Sequence, residues 1–168
     1  NFYVYDGKLN VFPHFSNTIF SITPDSTTQR YHFYFGDYHF PDDEIFQKKE
    51  YNSQAIMSEI MNNSYVRLMA PYETDEHLLV KYYVKRQVLL GIYNKKKHTA
   101  INLDPEMVID SLHLGTFPVP IGFNHNEFIG QLTLDIQQKN RIMIPELQKL
   151  MADYSEDSNP ILIFYSLR

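Results

Sequence analysis

The chain has 168 residues, with 15 Lys and Arg, 20 Asp and Glu, no cysteine and no tryptophan. This length suffices for one domain with a core and is short for two. The lack of cysteine excludes a disulfide framework, a zinc ribbon, an iron–sulfur cluster and a cysteine nucleophile. The net charge of −5 argues against a nucleic-acid-binding surface. Apolar runs are only a few residues long, so the sequence predicts no transmembrane segment.

The first 36 residues predict an antiparallel meander. Short β-branched and aromatic runs alternate with turn signals. Asp6-Gly7 indicates a type I′ hairpin turn, because glycine adopts a positive φ without a steric clash. The four predicted strands are Phe2–Tyr5, Lys8–Phe12, Thr18–Thr23 and Arg30–Phe35.

A helical insertion is predicted at about residues 45–62. Apolar residues at 56, 57, 60 and 61 share one helix face. Ser53 is a suitable N-cap, and Asn62-Asn63 a suitable stop. We expect this helix to pack on a sheet.

Residues 65–103 predict a second meander of similar length. Its four predicted strands are Tyr65–Ala70, His77–Val84, Gln87–Tyr93 and Thr99–Leu103. The basic run Lys95-Lys96-Lys97 falls on its last turn and is interpreted as solvated, since the chain is acidic overall.

The last third predicts a looser copy of the same unit. Pro120 assigns its strand to an edge or a bulge, because proline cannot donate to the ladder. Pro145 to Tyr154 predicts a helix, and the apolar terminal strand is expected to be buried on both faces. The predicted strands are Val108–Leu114, Val119–Phe123, Glu127–Leu132 and Pro160–Tyr165.

Repeated four-stranded meanders of this length are typical of β-propeller blades. The predicted class is all-β with short helical insertions, as a partial propeller of about three blades. A single domain, 1–168, would hold blade-like units at about 2–36, 65–103 and 108–168.

Four segments carry a family resemblance, and they are Tyr3–Leu9, Asn17–Ile22, Tyr34–Gly36 and Asp157–Tyr165. With them the chain resembles the six-bladed β-propeller proteins of Bacteroidetes, which are related to NHL-type propellers. The resemblance covers most of the chain. It implies a location at the cell envelope, periplasmic or as a surface lipoprotein.

A six-bladed propeller needs roughly 240 residues at about 40 per blade. The chain also begins within a predicted strand and without an initiator Met. We therefore expect it to be the C-terminal portion of a propeller, with further blades before Asn1. Unpaired edge strands invite pairing with another chain, so an edge-to-edge homodimer is expected.

Five residues are candidates for a ligand site. Arg67, His77 and Asp110 are polar residues of predicted inner strands. Tyr82 and Tyr83 could stack on a sugar ring, although packing between blades explains the abundant Tyr and Phe better. If the polar residues converge at a central channel, they could instead carry catalysis.

Metal and cofactor chemistry finds little support in the sequence. Asp42, Asp43 and Glu44 form the densest acidic cluster and are weak candidates for a hard cation such as Ca²⁺. A solvated acidic loop is the alternative. No nucleophile elbow, dinucleotide fingerprint or P-loop is present, so neither a catalytic residue nor a cofactor is predicted.

Two functions remain open, beside a third possibility that the chain is a structural portion only and that the function depends on the missing blades. The first is a non-enzymatic binding or scaffold module for a protein or carbohydrate ligand. The second is a hydrolase or lyase that acts on glycans or peptides at the propeller channel.

Overall fold

The computed structural model describes residues 1–13, 16–41, 54–55, 58, 62–85, 87–105, 117–132, 145, 148–149 and 159–167. In these residues the chain is all-β, with three antiparallel sheets. Two compact units are present, Asn1–Pro71 with Val80–Leu89, and Tyr72–Leu79 with Leu90–Arg168.

The first sheet confirms the first predicted meander. Its strand order is β1-β2-β3-β4. The bounds are β1 Phe2–Tyr5, β2 Lys8–Val11, β3 Thr18–Ile22 and β4 Thr27–His32. Asp6 and Gly7 have φ values of 50° and 68°, as a type I′ turn requires.

The prediction for the fourth strand was wrong in its bounds. The strand occupies 27–32 instead of 30–35. Thr23 N donates to Ser26 O at 2.9 Å, so the turn closes early and pairing restarts at Thr27. Gly36, at φ 58°, then leads into a 3-10 helix at Gly36–Tyr38, which ends the extended stretch.

One side of the first sheet is an exposed apolar surface, here called face A. In an antiparallel ladder, paired residues lie on the same side. One row of pairs joins Val4, Leu9 and Ile22, and a second joins Phe2, Val11 and Phe20. Phe2 is 71% exposed and Val4 60%. Face A consists of these six residues.

The second sheet has the order β5-β6-β7-β8 and confirms the second predicted meander, except that its first strand occupies 67–73 instead of 65–70. The bounds are β5 Arg67–Glu73, β6 His77–Val84, β7 Gln87–Asn94 and β8 Thr99–Leu103. Consecutive strand residues point to opposite faces. Because Leu78, Leu79 and Val80 are all buried, β6 is covered on both faces.

The third sheet has the order β11-β10-β9. Its strands are β9 Pro120–Phe123, β10 Phe128–Leu132 and β11 Ile161–Tyr165. Pro120 pairs with Gly130 next to a register shift at Ile129/Gly130, which confirms that its strand has a bulge. The predicted strand 108–114 lies outside the described residues.

The prediction that the terminal strand is buried on both faces was wrong. Leu162 is 50% exposed and Phe164 55%. β11 alternates between half-buried and exposed residues, and among the described strands it pairs with β10 alone. The apolar composition of β11 was therefore not a reliable sign that both faces of the strand are buried. We call the solvent-facing side of β10 and β11 face C; it carries Ile129 paired with Phe164, and Gln131 paired with Leu162.

Each unit has a hydrophobic core. In the first, Phe40 is fully buried and its ring meets the Tyr65 ring edge-on at 5.6 Å. In the second, four buried residues form the centre, against which Tyr72 and Tyr165 pack. These four residues are Leu79, Leu90, Ile92 and Phe128.

Both predicted helices fall largely outside the described residues. Residues 54, 55, 58 and 62 of the first, and 145, 148 and 149 of the second, have helical backbone. Of the helical segments that the structure describes, none has the length and hydropathy needed to cross a membrane.

Candidate functional site

The second unit gathers polar residues where three hairpin turns meet. We call this the turn cluster; it consists of residues 73–77, 94–97 and 124–127. Asp75 N donates to His125 O at 2.7 Å, and Lys95 N donates to Glu76 O at 2.8 Å. Backbone hydrogen bonds thus join the β5–β6 turn to the β7–β8 turn and to the β9–β10 turn.

An ion pair with one fully buried partner lies in this cluster. Lys95 Nζ is 2.7 Å from Glu73 Oε1, and the Glu73 side chain is 0% exposed. Lys95 Nζ also donates to Thr74 O at 2.6 Å. A buried carboxylate is costly unless it is paired, so Lys95 compensates the charge that the fold encloses.

His77 is held neutral by the neighbouring hairpin. Asn94 Oδ1 accepts from the backbone N–H groups of Lys96 and Lys97 at 3.1 and 2.8 Å. This fixes the amide orientation and places Asn94 Nδ2 2.9 Å from His77 Nε2. Because Nδ2 can only donate, Nε2 must accept, and it therefore carries no proton.

Burial also favours the neutral form of His77. The residue is 5% exposed. Desolvation lowers the pKa of its imidazole, and Lys97 and Lys95 lower it further, against an opposing effect of Glu76. His77 is therefore a neutral hydrogen-bond acceptor in the folded protein near pH 7.

The turns of the cluster are closed by side chains. Thr74 N donates to His77 O at 2.8 Å, and His77 N donates to Thr74 Oγ1 at 3.1 Å. In the β9–β10 turn, Asn124 Oδ1 accepts from the backbone N–H groups of Asn126 and Glu127 at 2.9 and 2.8 Å. The polar groups thus bond mainly to one another and to the backbone, an arrangement that holds hairpins together.

The first unit has its own polar and aromatic cluster. Asn17 is 1% exposed; its Nδ2 donates to Phe40 O at 2.7 Å and its Oδ1 accepts from Phe40 N at 3.3 Å. Asn17 Nδ2 also lies 3.0 Å from His39 Nε2. Tyr34, 82% exposed, rests on the His39 ring with centroids 5.6 Å apart. The Tyr34 ring is thus exposed to solvent and packs on His39, which is itself close to the Asn17 amide.

Comparison with known proteins assigns the chain to a family. Residues 1–166 match the family described as "Domain of unknown function (DUF4934)". The chain belongs to the DUF4934 family. The comparison of this DUF4934 chain with curated proteins gives no match.

A solved structure supports the fold of the DUF4934 chain. It is described as a "Putative exported protein (BF0058) from Bacteroides fragilis NCTC 9343" and matches with a TM-score of 0.80 at 18% identity. The match covers 99% of this chain and 49% of the other. The DUF4934 chain therefore spans about half the length of this solved protein.

The structure of the DUF4934 chain separates the predicted ligand residues. The Arg67 guanidinium lies 4.6 Å from the centroid of the Tyr83 ring, so these two are stacked. Tyr82 is buried and packs against Phe35 at 5.2 Å between centroids. His77 belongs to the turn cluster, at the turn that joins β5 to β6. Arg67 lies at the other end of β5, where the strand begins. Asp110 lies outside the described residues.

The weak metal candidates of the DUF4934 chain are not described by the structure. Asp42, Asp43 and Glu44 lie outside the described residues. Within the described ranges, no group of three or more His, Asp or Glu side chains is placed to hold a metal ion.

Sequence reasoning missed Glu73, Asn94 and Lys95 of the DUF4934 chain. Glu73 falls between the predicted strands Tyr65–Ala70 and His77–Val84, and Lys95 was interpreted as part of a solvated basic run. The available signal was Asn94, since an Asn that begins a hairpin turn commonly bonds the backbone two and three residues on. The Glu73–Lys95 pairing spans 22 positions and needed the fold.

Proposed function

We propose that the chain is a non-enzymatic binding or scaffold module of propeller type at the cell envelope. The observation that carries the proposal is the exposure of faces A and C. Contiguous apolar surface on a folded protein marks an interaction site, because leaving it in water is unfavourable. The partner that suits these faces is a protein with an apolar surface.

The propeller assignment draws support from the repeated sheet unit. Two four-stranded meanders and one three-stranded sheet follow one another along the chain. The similarity to a longer exported protein is consistent with such repetition, and it supports the envelope location.

The non-enzymatic assignment draws support from the turn cluster. General acid–base catalysis needs a group that can reach the substrate and exchange a proton with it. Glu73 is fully buried against Lys95, and His77 already accepts from Asn94. These groups stabilise the hairpins instead.

Faces A and C favour a protein over a carbohydrate partner. Val4, Leu9 and Leu162 are aliphatic, whereas sugar recognition uses aromatic rings together with hydrogen-bonding groups. Phe2 and Phe164 are exposed rings on these faces, but neither side chain has a hydrogen-bonding group. A row of paired aliphatic side chains is suited to another apolar protein surface.

Site-specific photo-crosslinking tests the proposal. p-Benzoylphenylalanine replaces Val4 on face A or Leu162 on face C, and Asn126 in an exposed turn provides the control. The protein is irradiated in the envelope fraction of cells that produce it. We expect discrete protein adducts from both faces and none from position 126.

Two results would contradict the proposal. One is equal labelling at all three positions, which would indicate nonspecific contact. The other is turnover of a glycan or peptide pool by the purified chain, detected by mass spectrometry, which would favour the hydrolase or lyase alternative.

A further inference from the structure

We propose that the covered side of the first sheet is a binding site for one ordered water molecule, held between Asn10 Oδ1 and Ser21 Oγ. Consecutive strand residues point to opposite faces. Asn10 and Ser21 therefore lie on the other side of the sheet from their neighbours Leu9 and Ile22, which belong to face A. The inference is independent of the proposed function, because it concerns the buried side of the sheet.

A row of four hydrogen-bonding side chains crosses this buried side. The strand register pairs Tyr3 with Asn10, and Asn10 with Ser21. Ser21 in turn pairs with Thr28 on the fourth strand. Tyr3, Asn10 and Ser21 are 8%, 0% and 7% exposed. Thr28 is exposed, so the row leads from the interior of the unit to its surface.

Two atoms of this row are buried without a hydrogen-bond partner in the part of the chain that the structure describes. They are Asn10 Oδ1 and Ser21 Oγ. Buried polar atoms in folded proteins are nearly always bonded, either to the protein or to ordered water. Because the two residues form one cross-strand pair, a single bound molecule explains both atoms.

The orientation of the Asn10 amide is set by the backbone. Its Nδ2 donates to Lys8 O at 3.2 Å. Turning the amide over would place Oδ1 against this carbonyl oxygen, and both atoms can only accept. Oδ1 therefore faces away from Lys8 and requires a donor from elsewhere.

Water meets the requirements of both atoms. The Ser21 hydroxyl can donate and accept, whereas Asn10 Oδ1 only accepts. A water molecule between them accepts from Ser21 Oγ and donates to Asn10 Oδ1. Directly paired residues have Cβ atoms about 4.5–5.5 Å apart, so one small molecule can reach both side chains. Neither side chain is charged, and the pair therefore offers a metal cation no compensating charge.

The bound water would add a side-chain link between β2 and β3. This link lies directly beneath face A, since the neighbouring residues Leu9 and Ile22 are themselves a pair on that face. Buried waters of this kind are part of a protein's structure and are costly to remove.

Ser21→Ala tests the site by the sign of its effect on stability. The Ser21 hydroxyl has no protein partner in the described residues, so its removal breaks no direct hydrogen bond. If it binds water, the substitution should raise the unfolding equilibrium constant by roughly two- to tenfold, as the loss of one hydrogen bond does. If the hydroxyl is buried and unsatisfied, the same substitution should stabilise the protein. Urea unfolding measures the change.

Thr28→Val is the matched control, because it removes the exposed hydroxyl of the same row. Its urea midpoint should stay close to that of the unsubstituted chain. Circular dichroism of both variants verifies that each is folded.

A high-resolution crystal structure of the unsubstituted chain tests the site directly. We expect a water molecule within hydrogen-bond distance of both Asn10 Oδ1 and Ser21 Oγ, and its loss in Ser21→Ala. Three results would overturn the proposal: no water at this position, a direct hydrogen bond between the two side chains, or a Ser21→Ala variant more stable than the unsubstituted chain. None of them bears on the crosslinking expected at faces A and C, so the two proposals fail separately.

Discussion

Lys95 Nζ lies 2.7 Å from Oε1 of Glu73, a carboxylate that is fully excluded from solvent. The two residues belong to different hairpins, and the lysine also bonds the carbonyl of Thr74. This pair therefore secures the tip of the β7–β8 hairpin on the β5–β6 turn. The stability of the second unit therefore depends on Lys95, a lysine that is only partly exposed.

Lys95→Met should destabilise the protein by about 3–5 kcal/mol, because it leaves a buried carboxylate uncompensated. Urea unfolding measures the loss. Lys96→Met, on the exposed neighbour in the same turn, is the matched control and should change stability by about 0.5 kcal/mol or less. Equal effects of the two substitutions would show that the ion pair contributes little.

The double variant Glu73→Leu with Lys95→Met separates pairing from burial. Removing both charges should recover much of the loss seen in Lys95→Met, since replacing a whole buried pair by apolar residues is often nearly neutral. A double variant as unstable as Lys95→Met alone would instead assign the loss to packing.

Stability should fall as the pH drops below about 6.5, the ordinary pKa of histidine. The pKa of His77 is lowered in the folded protein, mainly by desolvation. Between the lowered folded pKa and the unfolded pKa, the unfolded chain therefore binds more protons. Stability rises with pH through this window, with a slope of at most about 1.4 kcal/mol per unit from this residue.

His77→Gln isolates this contribution, because glutamine keeps an acceptor for Asn94 and cannot titrate. Unfolding free energies are compared for both proteins between pH 7.5 and 5. The unsubstituted chain should lose more stability than the variant over this range. Parallel curves would mean that His77 titrates in the same way in the folded and unfolded states.

Gly130→Ala should destabilise the third sheet by about 1–3 kcal/mol, as overpacking does. An added Cβ would lie 2.9 Å from Pro118 Cβ, 3.1 Å from Pro118 O and 3.2 Å from Tyr165 Cε1. Pro118 and Tyr165 cannot easily move away from the added Cβ, because Tyr165 Oη donates to Pro118 O at 2.6 Å. The change is measured by thermal or urea unfolding.

Gly122→Ala is the matched control on the neighbouring strand. Its added Cβ would meet only Ile129, at 3.7 and 3.8 Å, which are ordinary contacts. It should therefore be close to neutral. A loss as large as that of Gly130→Ala would trace the effect to strand glycines in general and not to the close approach of Pro118.

Gly7→Ala tests a backbone effect without a steric one. Gly7 has φ 68°, and an added Cβ would meet nothing within 4 Å. The expected loss is about 1 kcal/mol, from the left-handed conformation alone. Gly7→Asn should lose less, since asparagine tolerates that region; an equal loss for both, in urea unfolding, would contradict the turn geometry.

Much of the strand arrangement could be predicted from the sequence, because it depends on local patterns. Asp6-Gly7 specified a hairpin, and the strands at His77–Val84 and Thr99–Leu103 have the predicted bounds. The start of β4 could not be predicted, because it depends on how early the Thr23–Ser26 turn closes. The residues around this turn do not by themselves indicate at which position the chain reverses.

The candidate site was largely inaccessible to sequence reasoning. Arg67 and Tyr83 were both named, and the structure stacks them. His77 was named for its chemistry, but its imidazole is committed to Asn94. Glu73 was not placed in a strand and Lys95 was assigned to a solvated turn, because their spacing gives no sign of an ion pair.

The sequence by itself determined where strands and turns lie, since hydrophobic alternation and glycine or asparagine at turns act over a few residues. Only the tertiary structure decided which faces are covered and which charges are enclosed. Apolar side chains are buried on both faces of β6, whereas along β11 they alternate between half-buried and exposed. Burial depends on what packs against a strand, and that partner lies far away in the sequence or on another molecule.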